Sequence, residues 1–106
     1  ALVHNGLVEA RAYRQSETFA AGVQFARTEG IIPAPEPTHA LALAIREAQR
    51  AKETGEETVI LTALCGHGHF DLPAYEAYLS GAMVDEEVTE ERLAVGLATL
   101  PEVPVG

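Results

Sequence analysis

The stretch Cys65-Gly66-His67-Gly68-His69-Phe70-Asp71 holds the densest set of reactive side chains in the 106-residue sequence. A thiol, two imidazoles and a carboxylate alternate there with glycines, which free the backbone for tight turns and close approach to a ligand. Three chemistries compete for it. His67, His69 and Asp71 have the H-x-H-x-D spacing of metal-dependent hydrolase loops, but Leu72 stands where those loops continue with another His, and no His follows His69. A catalytic zinc takes three protein ligands and keeps an open fourth position. The second reading is a plain strand–loop–helix junction, with glycines for the turn, histidines at the surface and Asp71 as a helix cap. The third is a cofactor site, where Cys65 presents a thiol to a planar ligand at the end of a strand. A nucleophilic Cys65 is disfavoured, since only a nearby His is available to lower its pKa. Spacing alone leaves the three readings open.

A second stretch runs Glu29-Gly30-Ile31-Ile32-Pro33-Ala34-Pro35-Glu36-Pro37-Thr38-His39-Ala40. A carboxylate and a glycine at a helix end, then a rigid proline-rich turn, then a second helix would hold a polar group firmly. The same residues also suit a proline-stiffened connector, with Glu36 and His39 capping or solvated.

The elements that must position these stretches follow from periodicity. Ser16 is expected to cap a helix running to Glu29, with Phe19, Val23 and Ala26 on one face and Gly30 as its stop. Three alternating prolines from Pro33 to Pro37 are expected to keep that stretch extended. A second helix is expected from about Thr38 to Thr54, with a stripe of Ala40, Leu41, Ala44, Ile45 and Ala48, ended by Gly55. Thr58–Leu64 is nearly all apolar and reads as a parallel strand buried on both faces. Leu7–Tyr13 alternates like a short strand but equally suits an extended linker. Asp71 is expected to cap a short helix with Tyr75 and Tyr78, ended by Gly81, and Asp85–Leu100 to form a last amphipathic helix with an acidic first turn. The result is a helix–strand–helix piece of an α/β fold. One parallel strand is not a sheet, so its neighbours are expected from elsewhere. The start, Ala1-Leu2-Val3-His4 before an Asn5-Gly6 turn and without Met, also reads as a fragment's.

Charge narrows the partners. The chain carries 16 Asp and Glu against 7 Lys and Arg, a net charge of −9. Residues 1–55 balance, residues 56–81 contribute −4 and residues 82–106 contribute −5. Nucleic acid and anionic membrane surfaces both ask for clustered Lys and Arg, so neither is expected as a partner. No apolar run approaches a membrane span's length of roughly 18 residues. The single cysteine excludes an internal disulfide and suits a reducing cytoplasm.

Taken in order and spacing, the two stretches resemble the C-terminal part of tryptophan synthase β chains. The match is to Glu29-Gly30-Ile31-Ile32-Pro33-Ala34-x-Glu36-x-x-His39-Ala40, followed by a strand ending in a small hydroxyl or thiol residue and Gly-x-Gly. With Arg11-Ala12-Tyr13 upstream, Gly66-His67-Gly68-His69-Phe70-Asp71 looks most like the longer, second type of that enzyme. The resemblance implies a pyridoxal-phosphate enzyme of fold type II, with a three-layer α/β domain of which this piece is incomplete on its own. Such enzymes join indole to a dehydrated serine. It further implies cofactor-binding roles for Cys65, Gly66 and Glu29, with Cys65 standing where the family has a Ser beside the pyridine nitrogen. Thiol and hydroxyl are both neutral near pH 7, so either leaves that nitrogen unprotonated. The family's cofactor-bearing Lys and its phosphate-cradling Gly-rich loop lie upstream of the matched segment. Lys52, the only lysine, lacks their motif. Residues 1–81 are therefore expected to be a segment of a pyridoxal-phosphate domain, and residues 82–106 an acidic helix or tail. Alone the chain is expected to be inert and to hold no cofactor. Its partners are expected to be the rest of the parent enzyme or further copies of itself. A free-standing, self-associating module without catalysis is the alternative.

Overall fold

The computed structural model describes residues 1–100. It contains four helices, α1 (Gln15–Glu29), α2 (Pro35–Thr54), α3 (Leu72–Leu79) and α4 (Glu90–Leu97). The Asn5-Gly6 turn forms as expected, closed by a bond from the Gly6 N–H to the Val3 carbonyl at 3.0 Å.

Helix α1 starts two residues earlier than the Ser16 cap implied. Arg14 occupies the N-cap position, and the Glu17 carboxylate accepts from the Arg14 N–H at 2.9 Å. Ser16 is thus inside the first turn, where its N–H has no partner within the helix. That partner comes from far along the chain. Asp85 Oδ1 accepts from the Ser16 N–H at 2.8 Å and Asp85 Oδ2 from Ser16 Oγ at 2.5 Å. The Asp85 carboxyl is held below its ordinary range by these two bonds, with a smaller contribution from Arg14.

The prolines do not keep Pro35–Pro37 extended. Both lie in the first turn of α2, which begins at Pro35. Proline is tolerated there because first-turn N–H groups have no helical acceptor to lose. Only residues 31–34 stay extended. Gly30 and Gly55 end α1 and α2 at the expected positions.

Helix α1 packs on α2 and on α3. The buried set is small: Phe19, Ala21, Ala34, Leu41 and Tyr75 among apolar residues, with Thr18 and Thr38 beside them. Each threonine hydroxyl bonds back to a carbonyl in its own helix's first turn, Thr18 to Gln15 and Thr38 to Pro35. Burial of Phe19 and Leu41 contributes about 1.5–3 kcal/mol each. The rings of Phe19 and Tyr75 meet edge-on at 4.9 Å, tying α3 to α1.

The expected strands are the main departure. Among the described residues no strand is formed, and the only bridge is a single antiparallel one between Pro33 and His67. Thr58–Leu64 runs without helix or ladder, and Val59 and Leu61 are 96% and 97% exposed. A ladder needs a second strand to receive its N–H groups, and no other part of the described chain provides one. Leu7–Tyr13 is likewise not a strand. The last helix is shorter than Asp85–Leu100. Thr89 caps it, its Oγ1 accepting from the Arg92 N–H at 3.3 Å, because Asp85 is engaged at α1. Its residues Leu93, Val95 and Leu97 are all exposed.

Candidate functional site

The two chemically dense stretches are brought together although they lie more than thirty residues apart. The Gly68 N–H donates to the Ile32 carbonyl at 2.8 Å, and the Ala34 N–H donates to the Gly66 carbonyl at 3.2 Å. These bonds bracket the Pro33–His67 bridge. The turn after α1 and the loop before α3 are therefore joined into one unit.

Two glycines make this approach possible. Gly66 has a φ of +122°, and a Cβ there would lie 3.2 Å from the Ala34 Cβ. At Gly68 the demand is steric: a Cβ would fall 2.4 Å from the Pro33 carbonyl oxygen and 2.8 Å from Ile32 Cγ2. Neither position takes a larger residue without moving backbone. Gly66 thus has a reason to be glycine whatever binds nearby.

From the other side the unit is held by Tyr75 of α3. Its hydroxyl donates to the Pro33 carbonyl at 2.7 Å in a buried setting. Burial first, and then the Asp71 carboxylate, push the Tyr75 hydroxyl up, so it remains a protonated donor at ordinary pH. Sequence reasoning placed Tyr75 in the short helix but gave it no part in the site. The one available signal was a tyrosine four residues after Asp71, on the first turns of a helix that starts at the loop.

The remaining expected residues fall as follows. Glu29 ends α1 and is exposed, as is Cys65, a free thiol directly before Gly66. Lys52 is exposed near the end of α2. Asp71 occupies the N-cap position of α3, yet its side chain makes no capping bond. Its carbonyl instead accepts from the N–H groups of Ala74 and Tyr75.

The hydrolase-like metal reading finds no support in the geometry. Among the described residues no three His, Cys, Asp or Glu side chains converge on a point that could hold a metal ion, so His67, His69 and Asp71 do not form a ligand set. His67 Nδ1 instead accepts from the His69 N–H at 3.3 Å, and its ring lies 5.5 Å from that of Phe70. The histidines shape the loop.

The donor set does fit one flank of a planar cofactor. An exposed thiol stands beside a glycine whose missing side chain lets the loop lie close to Ala34, and the loop is bonded to the turn after α1. A thiol donates weakly and carries no charge near neutral pH, so it suits an uncharged ring nitrogen.

No protein-family model matches the chain. Individual proteins do. It is 58% identical over 84 residues to tryptophan synthase beta chain 2 of Aquifex aeolicus, a match covering 79% of this chain and 19% of that protein. Identity to tryptophan synthase beta chain 2 of Thermotoga maritima is 62% over 74 residues, 70% of this chain and 18% of the relative. The tryptophan synthase beta chain of Pyrococcus horikoshii is 52% identical over 86 residues, 81% of this chain and 19% of the relative. The chain thus spans about a fifth of the length of the curated relatives it matches.

Proposed function

We propose that this chain, whose homologues are tryptophan synthase beta chains, forms one wall of the cofactor site in a tryptophan synthase beta-like enzyme. The observation that carries this reading is the bonding of the Gly30–Ala34 turn to the Gly66–Gly68 loop. Those are the two stretches whose residue pattern resembles the family, and they meet in space. Pyridoxal phosphate, when bound in such an enzyme, supplies the electron sink for replacing the serine hydroxyl with indole to give tryptophan. This chain's part is to hold and orient. Cys65 presents its thiol to the ring nitrogen, Gly66 lets the backbone pass beside the ring, and Glu29 places a carboxylate near it. A neutral partner at the ring nitrogen limits electron withdrawal and favours elimination at the β carbon.

The finer architecture belongs to the same proposal. Thr58–Leu64 becomes a buried parallel strand once neighbouring strands of the longer protein lie on both its edges, giving the helix–strand–helix piece of a three-layer domain. Residues 1–81 are the enzyme-like segment and residues 82–106 an acidic addition, fastened through Asp85. The partners are the rest of the parent enzyme or further copies, in the cytoplasm. Among the described residues, no helix is long and apolar enough to cross a membrane.

The test is tryptophan formation from serine and indole by the full-length protein, dependent on added pyridoxal phosphate. The isolated 106-residue chain is expected to show none. Activity in the isolated chain, or its absence in the full-length protein, would refute the proposal. A second reading, a self-associating module without catalysis, shares with the first the self-association expected from the exposed Val59 and Leu61 and differs over turnover. It predicts stable oligomers and no turnover even in the full-length protein.

A further inference from the structure

The Pro33 carbonyl is approached closely from two sides. Pro33 is among the most buried residues, and its oxygen lies against the Cα of Gly68 on one side while receiving the Tyr75 hydroxyl at 2.7 Å on the other. Tyr75 is itself fixed. Phe19 packs edge-on against its ring, and α1 carries a glycine, Gly22, where the phenol arrives. A Cβ at Gly22 would sit 2.7 Å from Tyr75 Oη and 2.7 Å from Thr38 Cγ2. Helices α1 and α3 thus meet at one hydroxyl, with Thr38 of α2 against the same glycine, and that hydroxyl is aimed at the turn rather than at solvent.

We infer that Tyr75 is a positioning residue whose hydroxyl clamps the Gly30–Ala34 turn onto the Gly66–Gly68 loop, setting where Glu29 and Cys65 stand on the cofactor wall. The clamp itself is a statement about this chain's geometry. Its consequence for the cofactor rests on the function proposed above. A hydroxyl is needed because the Pro33 carbonyl, on a fully buried residue, would otherwise be left short of a donor. A phenyl ring in the same place fills the volume but leaves the turn free to shift.

The experiment compares Tyr75→Phe and Phe19→Leu in the full-length protein carrying this segment, with pyridoxal phosphate added. Phe19→Leu loosens the same aromatic packing but keeps the hydroxyl bond. Hydrogen exchange at the Ala34 and Gly68 amides reads the clamp without reference to any cofactor. Tyr75→Phe is expected to speed their exchange roughly fivefold or more relative to Phe19→Leu, the change expected for one lost buried hydrogen bond. Exchange that matches in the two variants overturns the clamp. The second readout is the absorption band of bound pyridoxal phosphate, expected to move in Tyr75→Phe and to stay in Phe19→Leu. Faster exchange with an unmoved band overturns the link from clamp to cofactor wall. Wild-type protein that takes up no pyridoxal phosphate overturns the proposed function instead, while the exchange result still decides the clamp.

Discussion

At Gly68 a single added carbon would enter the space of the Pro33 carbonyl oxygen at 2.4 Å. Backbone on both sides must move to admit it, so Gly68→Ala is expected to destabilise the protein by about 1–3 kcal/mol, the usual cost of overpacking. A urea midpoint unchanged by Gly68→Ala would contradict the close approach. Asp85 carries a second residue-scale prediction. Its folded pKa is depressed below the ordinary value of 3.8 by the Ser16 bonds. The anchoring contribution is therefore fully present above that ordinary value and is lost as the pH falls through the lowered one. Melting curves at falling pH should show a loss of stability in the wild type that Asp85→Asn lacks. Equal pH dependence in both proteins would exclude the anchor. Neither interaction was legible in the sequence. Asp85 looked like a dipole-friendly acid at the start of the last helix, and its true partner lies 69 residues away. Spacing rules report neighbours along a helix or strand, not contacts over that separation.

Among elements, the helices were legible and the strand was conditional. Gly30 and Gly55 end α1 and α2 where composition placed them, because helix stops are local events. The start of α2 was misplaced by three residues, since a proline run excludes a helix interior but not a first turn. Thr58–Leu64 shows a different limit. Its apolar, β-branched pattern describes a surface to be covered, but a strand exists only with a partner to bond. Its exposed Val59 and Leu61 make it a template for pairing between chains. The 106-residue chain is accordingly expected to self-associate in sedimentation experiments, and Val59→Lys with Leu61→Lys to return it toward monomer. A wild-type chain that sediments as a monomer at high concentration would refute that role for the segment. The metal reading gains no geometric support for a related reason: H-x-H-x-D gives spacing along the chain, whereas ligation depends on how the loop folds back on itself.

At the scale of the molecule, the surface does not match a finished domain. The chain exposes 8598 Å² at a mass of 11.3 kDa. A compact monomer of that mass exposes about 5,700 Å². Its radius of gyration is 16.8 Å, against about 13 Å for a compact domain of this length. Large apolar side chains stand exposed on it, including Val59, Leu61, Phe70 and Leu93, Val95 and Leu97 of α4. Surface of this kind is what a larger protein would cover, and the chain spans about a fifth of the length of its relatives. Under the proposed function, Cys65 stands at the ring nitrogen of pyridoxal phosphate in the full-length protein. The most direct measurement is the absorption spectrum of the full-length protein with pyridoxal phosphate, as wild type, Cys65→Ser and Cys65→Asp. A hydroxyl replaces one neutral donor with another, whereas a carboxylate favours a protonated ring nitrogen. The account predicts a bound-cofactor band nearly unchanged by Cys65→Ser and clearly shifted by Cys65→Asp. A protein that takes up no pyridoxal phosphate, or a band indifferent to both substitutions, would contradict it.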